Sequence, residues 1–196
     1  GNLNYILSGS NIKKDTNVHE SYLINDLVYK SNSFFSKFGT NSIFEFHFKN
    51  STKEGRNSSN YNEGVKSENY ASLILNSSLP LKKNHINYIS NLTPKILARY
   101  SPSKSENLIN SDRKINVTNI FSSNRLGLND SLEGGQSITL GFDYDIKTLD
   151  DKDLLGLSLG QIFRDEEDKR LPIKSKMRGK SSDIVGDIYF KPNDNF

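Results

Sequence analysis

Few residues in this chain have the types and spacing that do chemistry. Its three histidines, His19, His47 and His85, stand far apart, with none of the close spacings that gather a metal site. His47 is expected to point from a strand into water or a wet interior. The acidic run Asp165-Glu-Glu-Asp168 could hold Ca²⁺, but it lacks the Asp-x-Asp-x-Asp-Gly order of a calcium loop and reads as a solvated loop. Asp150-Asp151-Lys152-Asp153 reads as a charged turn. No Gly-x-Ser-x-Gly elbow and no Gly-x-x-x-x-Gly-Lys phosphate loop occurs. The sequence therefore argues against an enzyme and gives no cofactor or metal site. What remains is Arg125 with Asp130 or Glu133, an ion pair suited to pinning a loop, and Gly134-Gly135, suited to a turn or bulge.

The elements that must position these residues are strands. In the stretch 136–147, Ile138, Leu140, Phe142, Tyr144 and Ile146 fall on one side. Ser137, Thr139, Gly141, Asp143 and Asp145 fall on the other. Period two over ten residues makes a strand with one apolar and one polar face. The stretch 42–49 repeats this, with Phe44, Phe46 and Phe48 against Glu45, His47 and Lys49. In 65–77, Ala71, Leu73 and Leu75 alternate with Ser72, Ile74 and Asn76. Further strands are expected over 2–10, 21–33, 92–102, 114–121, 154–164 and 182–191, about nine in all and without helices. Polar segments at 50–64, 82–91, 103–111 and 165–180 read as loops, and 36–41 as a hairpin turn. Such short-range connections predict an all-β, antiparallel up-and-down meander.

The 196 residues suffice for one domain. Hydrophobic residues make up 34% and mean hydropathy is −0.64, polar for a packed sandwich and natural for a barrel whose strands alternate between lipid and a wet lumen. No run of ~18 apolar residues offers a membrane helix. With 26 basic and 23 acidic residues well mixed, there is no nucleic-acid footprint. The chain opens on Gly1-Asn2-Leu3 without Met and stops just after a strand, so it is expected to be the interior of a longer protein, a missing signal then saying nothing about export.

Three strings, taken together, resemble one family. They are Asn124-Arg125-Leu-Gly127 with Asp130 and Glu133-Gly134-Gly135, then Leu157-Ser-Leu-Gly160-Gln161-Ile-Phe-Arg164, then Ser182-Asp183-Ile-Val-Gly186. They are similar to the barrel region of the LPS-assembly outer-membrane proteins (LptD, also called OstA), as is Leu92-Thr-Pro-Lys…Arg99-Tyr-Ser-Pro102. The resemblance implies that residues 1–196 are part of an outer-membrane β-barrel, an arc of about nine strands. It implies a role in inserting lipopolysaccharide (LPS) into the outer leaflet of a Gram-negative outer membrane. The implied partners are LPS, membrane lipid, an LptE-like plug lipoprotein and the periplasmic LPS-bridge proteins, the last through a domain not in this chain. The motif residues are given a structural role. Counting turns alternately puts 36–41, 79–91, 122–133 and 166–180 at one end, with 148–152 and the tail after Pro192 at the other, and the 122–133 and 166–180 loops outside the cell. The alternatives are a soluble all-β glycan-binding module and another outer-membrane channel.

Overall fold

Alternating side chains commit a chain to strands, and pairing consecutive strands satisfies the backbone most locally. The computed structural model describes residues 1–191 and contains ten strands in one antiparallel sheet. These are β1 (Asn2–Lys13), β2 (His19–Lys30), β3 (Phe34–Phe35), β4 (Asn41–Arg56), β5 (Gly64–Ser78), β6 (Leu81–Asn84), β7 (Tyr88–Ser101), β8 (Gly135–Thr148), β9 (Asp153–Arg164) and β10 (Val185–Phe190). The order across the sheet is β1-β2-β4-β5-β7-β8-β9-β10, with the short β3 and β6 beside β4 and β7. The expected all-β meander is what forms, as an open arc with β1 and β10 at its edges.

One expected strand is absent. Residues 114–116 are irregular and 117–121 form turns, because Asn116 competes for the backbone. Its Oδ1 accepts from the Thr118 and Asn119 amides at 2.9 and 3.0 Å, and its carbonyl accepts from the Ile120 amide at 3.0 Å. Ile115 and Ile120 are buried inside a folded loop instead. Losing that strand changes the end to which every earlier turn belongs. Connections 31–40, 79–87 and 149–152 share one end, and 14–18, 57–63, 102–134 and 165–184 share the other. The expected grouping of 36–41 and 79–91 with the two long loops is thus corrected. The tail after Pro192 lies outside the described residues.

Boundaries shift for local reasons. β4 continues through the polar 50–56, where cross-strand amides hold it: Asn25 Nδ2 donates to Asn50 Oδ1 at 3.3 Å and Asn50 Nδ2 to Asn69 Oδ1 at 2.8 Å. The segment 82–91 is a hairpin, not a plain connection, so β7 begins at Tyr88 and contains Pro94. Pro94 is tolerated because its nitrogen faces the break between β5 and β6, where only its carbonyl is used, by the Leu79 amide at 3.0 Å. β10 begins at Val185, three residues later than expected.

The alternation gives the sheet two faces. On the bare face Phe44, Leu75, Ala98, Ile138 and Phe163 share one row across five strands. From that row the apolar positions continue toward the short-turn end on β8 (Leu140, Phe142, Tyr144, Ile146). They continue toward the long-loop end on β4 (Phe46, Phe48), β2 (Tyr29, Leu27, Leu23) and β1 (Leu3, Tyr5, Leu7). The apolar band thus crosses the register obliquely, as in a sheet whose strands tilt against a flat band. Among the described residues no second sheet or helix packs on it, and Leu3, Leu7, Phe48, Leu73, Leu140 and Ile188 are exposed. The opposite face is covered by the loops 102–134 and 165–184. The core lies under them: Leu108, Ile115, Ile120, Leu126, Leu128, Leu171 and Met177 of the loops meet Ile162 of β9.

Candidate functional site

The covered face is built where strand alternation aims polar side chains at a folded loop. On β8, Ser137 and Thr139 point inward and are buried, and Arg125 of the loop 102–134 reaches them. Its Nη1 donates to Thr139 Oγ1 at 2.9 Å and its Nη2 to Ser137 Oγ at 3.1 Å. Its Nε donates to Glu133 Oε2 at 2.7 Å, and Nη2 also meets Glu133 Oε1, making the pair bidentate. From the end of β9, Arg164 closes on Glu133 Oε1 and donates to the Gly134 carbonyl at 3.2 Å. One carboxylate thus lies between two guanidiniums, with all three residues buried. Burial pulls Arg125 down to about 9, still a cation at neutral pH.

A second set of contacts comes from β4. Lys49, 3% exposed, donates to the Asn129 carbonyl at 2.8 Å and pairs with Asp26 at 3.1 Å. Lys53 pairs with Asp130 at 2.5 Å and Glu106 at 3.3 Å. Burial alone would raise the Asp130 carboxyl; the Lys53 ammonium outweighs it and holds it below its ordinary value. Arg99 of β7, fully covered, donates to the Ser122 and Ser123 carbonyls at 3.3 and 2.7 Å. Strand parity in the sequence carried the signal for Lys49 and Arg99, which alternate with outward apolar or neutral neighbours, and less clearly for Lys53, which stands between Thr52 and Glu54. Without the loop's position it could not be read as a contact.

The sequence-selected residues fall into two groups. Asn124, Arg125, Gly127, Asp130, Glu133 and Gly134 lie in the loop roof. Asn124 staples it, its Nδ2 donating to the Leu128 carbonyl and its Oδ1 accepting the Leu128 amide, both at 2.8 Å. Gly127 sits at φ +62° in that turn, a conformation that favours glycine. At Gly134 a Cβ would meet Ser103 O at 2.3 Å and Ser105 N at 2.6 Å, so the roof closes only over bare backbone. Arg164 joins this group from β9. Gly160 lies under Ile120 and Phe121 of the roof. The second group stands apart, at the return of loop 165–184. Gln161, on the bare face, donates to the Ser182 carbonyl at 2.9 Å, and Ser182 Oγ accepts the Ile162 amide at 3.0 Å. Asp183 pairs with Lys176 at 3.2 Å, and Gly186 packs against Leu159.

His47 does face the inner side, but it is buried at 7% and its Nε2 lies 3.0 Å from Glu45 Oε2, so the roof replaces the expected water. Asp165, Glu166 and Glu167 are exposed, while Asp168 accepts from Ser105 Oγ at 2.5 Å. Among the described residues no cluster of three or more His, Asp or Glu side chains could hold a metal ion.

The arrangement fixes a polar, charge-studded roof to the inner side of a sheet whose other side is apolar. Comparison with curated proteins returns no match. The family model described as "LptD: LPS transport system D" matches residues 9–196, nearly the whole chain. The chain belongs to the LptD family, whose work is the transport and assembly of lipopolysaccharide at the Gram-negative outer membrane.

Proposed function

We propose that the sheet is an arc of an outer-membrane β-barrel, part of the translocon that inserts LPS into the outer leaflet. The oblique apolar band on the bare face carries this reading. On β8 it runs from Ile138 to Ile146. At ~3.3 Å per residue that is about 26 Å of strand, or roughly 20 Å of height at a ~40° tilt, close to the ~25 Å apolar band of such barrels. A soluble module would have buried these rows on a partner layer.

The short connections 31–40, 79–87 and 149–152 fit the periplasmic end, and 102–134 and 165–184 the cell exterior, since outer-membrane barrels keep their long loops outside. The roof then narrows the lumen, with the motif residues Asn124 to Gly134, Gly160 and Arg164 serving its geometry and the group at 161–186 anchoring the second loop. An LptE-like plug would meet the inner face the roof leaves open, where Ile6 and Ile12 of β1 are exposed. The periplasmic bridge proteins would be reached through segments other than these. Intact cells carrying Lys174→Cys or Asn129→Cys should take up a membrane-impermeant maleimide, and cells carrying Asp151→Cys should not until permeabilised. Protection of both loop positions, or recovery of the protein in a detergent-free soluble fraction, would contradict the assignment.

A further inference from the structure

β5 is longer than the strand it pairs with. Only Leu73–Ser78 bond to β7, so Gly64–Ser72 have no strand on that side. The loop leaving β7 fills part of the gap: Ser101 Oγ donates to the Ala71 carbonyl at 2.8 Å and Ser103 Oγ accepts the Ala71 amide at 3.0 Å. Beyond that point the wall has a notch, and a cavity of about 800 Å³ opens there between β5 and the two long loops.

Its charge is one-sided. Lys66, Lys104, Lys169, Arg170 and Arg178 line it, against the carboxylates of Glu68 and Glu106. Both carboxylates are already engaged. Glu68 takes Lys66 at 2.9 Å and the Tyr70 hydroxyl at 3.0 Å; Glu106 takes Lys53 at 3.3 Å and Ser131 at 3.1 Å. Asp168, next to Lys169 in the chain, is turned to Ser105 Oγ and to the Arg170 amide. Among the described residues Lys104, Lys169, Arg170 and Arg178 have no carboxylate within salt-bridge distance. Backbone bonds set the cavity's shape: between the loops, the Leu108 amide to the Arg170 carbonyl at 2.7 Å, and within the second loop, the Asp168 amide to the Arg178 carbonyl at 3.0 Å. Unpaired cations lining a polar cavity attract an anion with several acceptor oxygens.

We infer that this notch is a binding site for phosphate groups carried on a saccharide, the headgroup chemistry of a phosphorylated glycolipid. Lys104, Lys169 and Arg178 supply the charge-assisted bonds, while Arg170, whose Nη1 also holds the Ser105 carbonyl at 3.4 Å, fixes the cavity wall. That the phosphate belongs to LPS rests on the reading of the previous section; that the cavity takes phosphate does not.

The test uses the intact protein in detergent micelles. Binding is measured for LPS, for enzymatically dephosphorylated LPS and for inorganic phosphate as competitor. The triple variant Lys104→Gln/Lys169→Gln/Arg178→Gln is compared with Lys82→Gln/Lys83→Gln at the opposite end of the sheet. Dephosphorylation and the triple variant should each weaken LPS binding by about tenfold or more, at the usual strength of one charge-assisted bond, and the control should not. Competition by inorganic phosphate would assign the site to the phosphate alone. Competition by phosphorylated glycolipid only would assign it to the saccharide-borne group; either result supports the site. Equal binding of dephosphorylated LPS overturns the inference, as does undiminished binding by a triple variant of wild-type protease resistance. If the cavity binds phosphate but the protein fractionates away from the outer membrane, it is the membrane reading that fails.

Discussion

The roofed part of the sheet and its β1–β2 hairpin share one alternation of residues but are held in different ways. Under the roof, inward side chains of β5, β7 and β9 are sealed: Ile74, Leu97 and Ile162 are each 1% exposed. On the hairpin the inward Ile6 and Ile12 remain exposed, and its own side-chain bonds are few, Tyr5 to Asn25 at 2.7 Å and His19 to Asn11 at 2.9 Å among them. The difference teaches that strand patterning builds the sheet, while two long loops decide which part of it has a solid interior. Changes to the roof should therefore cost far more than changes of equal size on the hairpin.

The largest effect should come from Glu133→Ala, which leaves two buried guanidiniums without their shared carboxylate. Breaking such a buried pair costs about 3–5 kcal/mol, read as early protease cleavage in 102–134 and a lowered unfolding temperature. Wild-type protection would remove the roof's central fastening from the account. Next is Gly141→Ala, whose new methyl would meet Leu159 O at 2.2 Å and the Phe121 ring at 2.8 Å. Overpacking of this kind costs about 1–3 kcal/mol, and a chemical-denaturation midpoint at the wild-type value would contradict it.

These residues also mark how far the sequence could be read. The strands at 42–49, 65–77 and 136–147 were legible because each has one apolar side, which is a local property. The error at 114–121 was also local in appearance: Ile115 and Val117 alternate with Asn116 and Thr118, yet Asn116 turns its own backbone. The pairing of Arg125 with Glu133 could be anticipated from eight residues' separation. The contributions of Arg164, Lys49 and Arg99 could not, since they come from strands far away in the chain.

Asn124→Ala should have a middling effect. It removes both bonds to Leu128, each worth about 0.5–1.5 kcal/mol, and should raise amide exchange in the 124–128 turn without unfolding the sheet. Acid should act more gently still. The folded Asp130 carboxyl titrates below its ordinary value near ~3.9, so its contribution is complete above that pH and lost as pH falls through the folded value. Protease resistance of the roof should be flat from about pH 7 to 5 and decline below about 4; Asp130→Asn should lessen that decline. Smallest is Leu7→Ala on the hairpin's bare face, expected to stay within about 0.5 kcal/mol in detergent, as exposed substitutions do.

The central claim is that the bare face meets lipid while the other meets the protein's own roof. The chain has no cysteine, so single cysteines bearing a nitroxide can be placed in turn at positions 137 to 140 and 142. In bilayers, collision rates with oxygen and with a water-soluble nickel chelate should alternate along β8. Positions 138, 140 and 142 should be open to oxygen and shielded from nickel, and 137 and 139 shielded from both. High nickel accessibility at Leu140, or no alternation at all, would contradict a lipid-facing sheet.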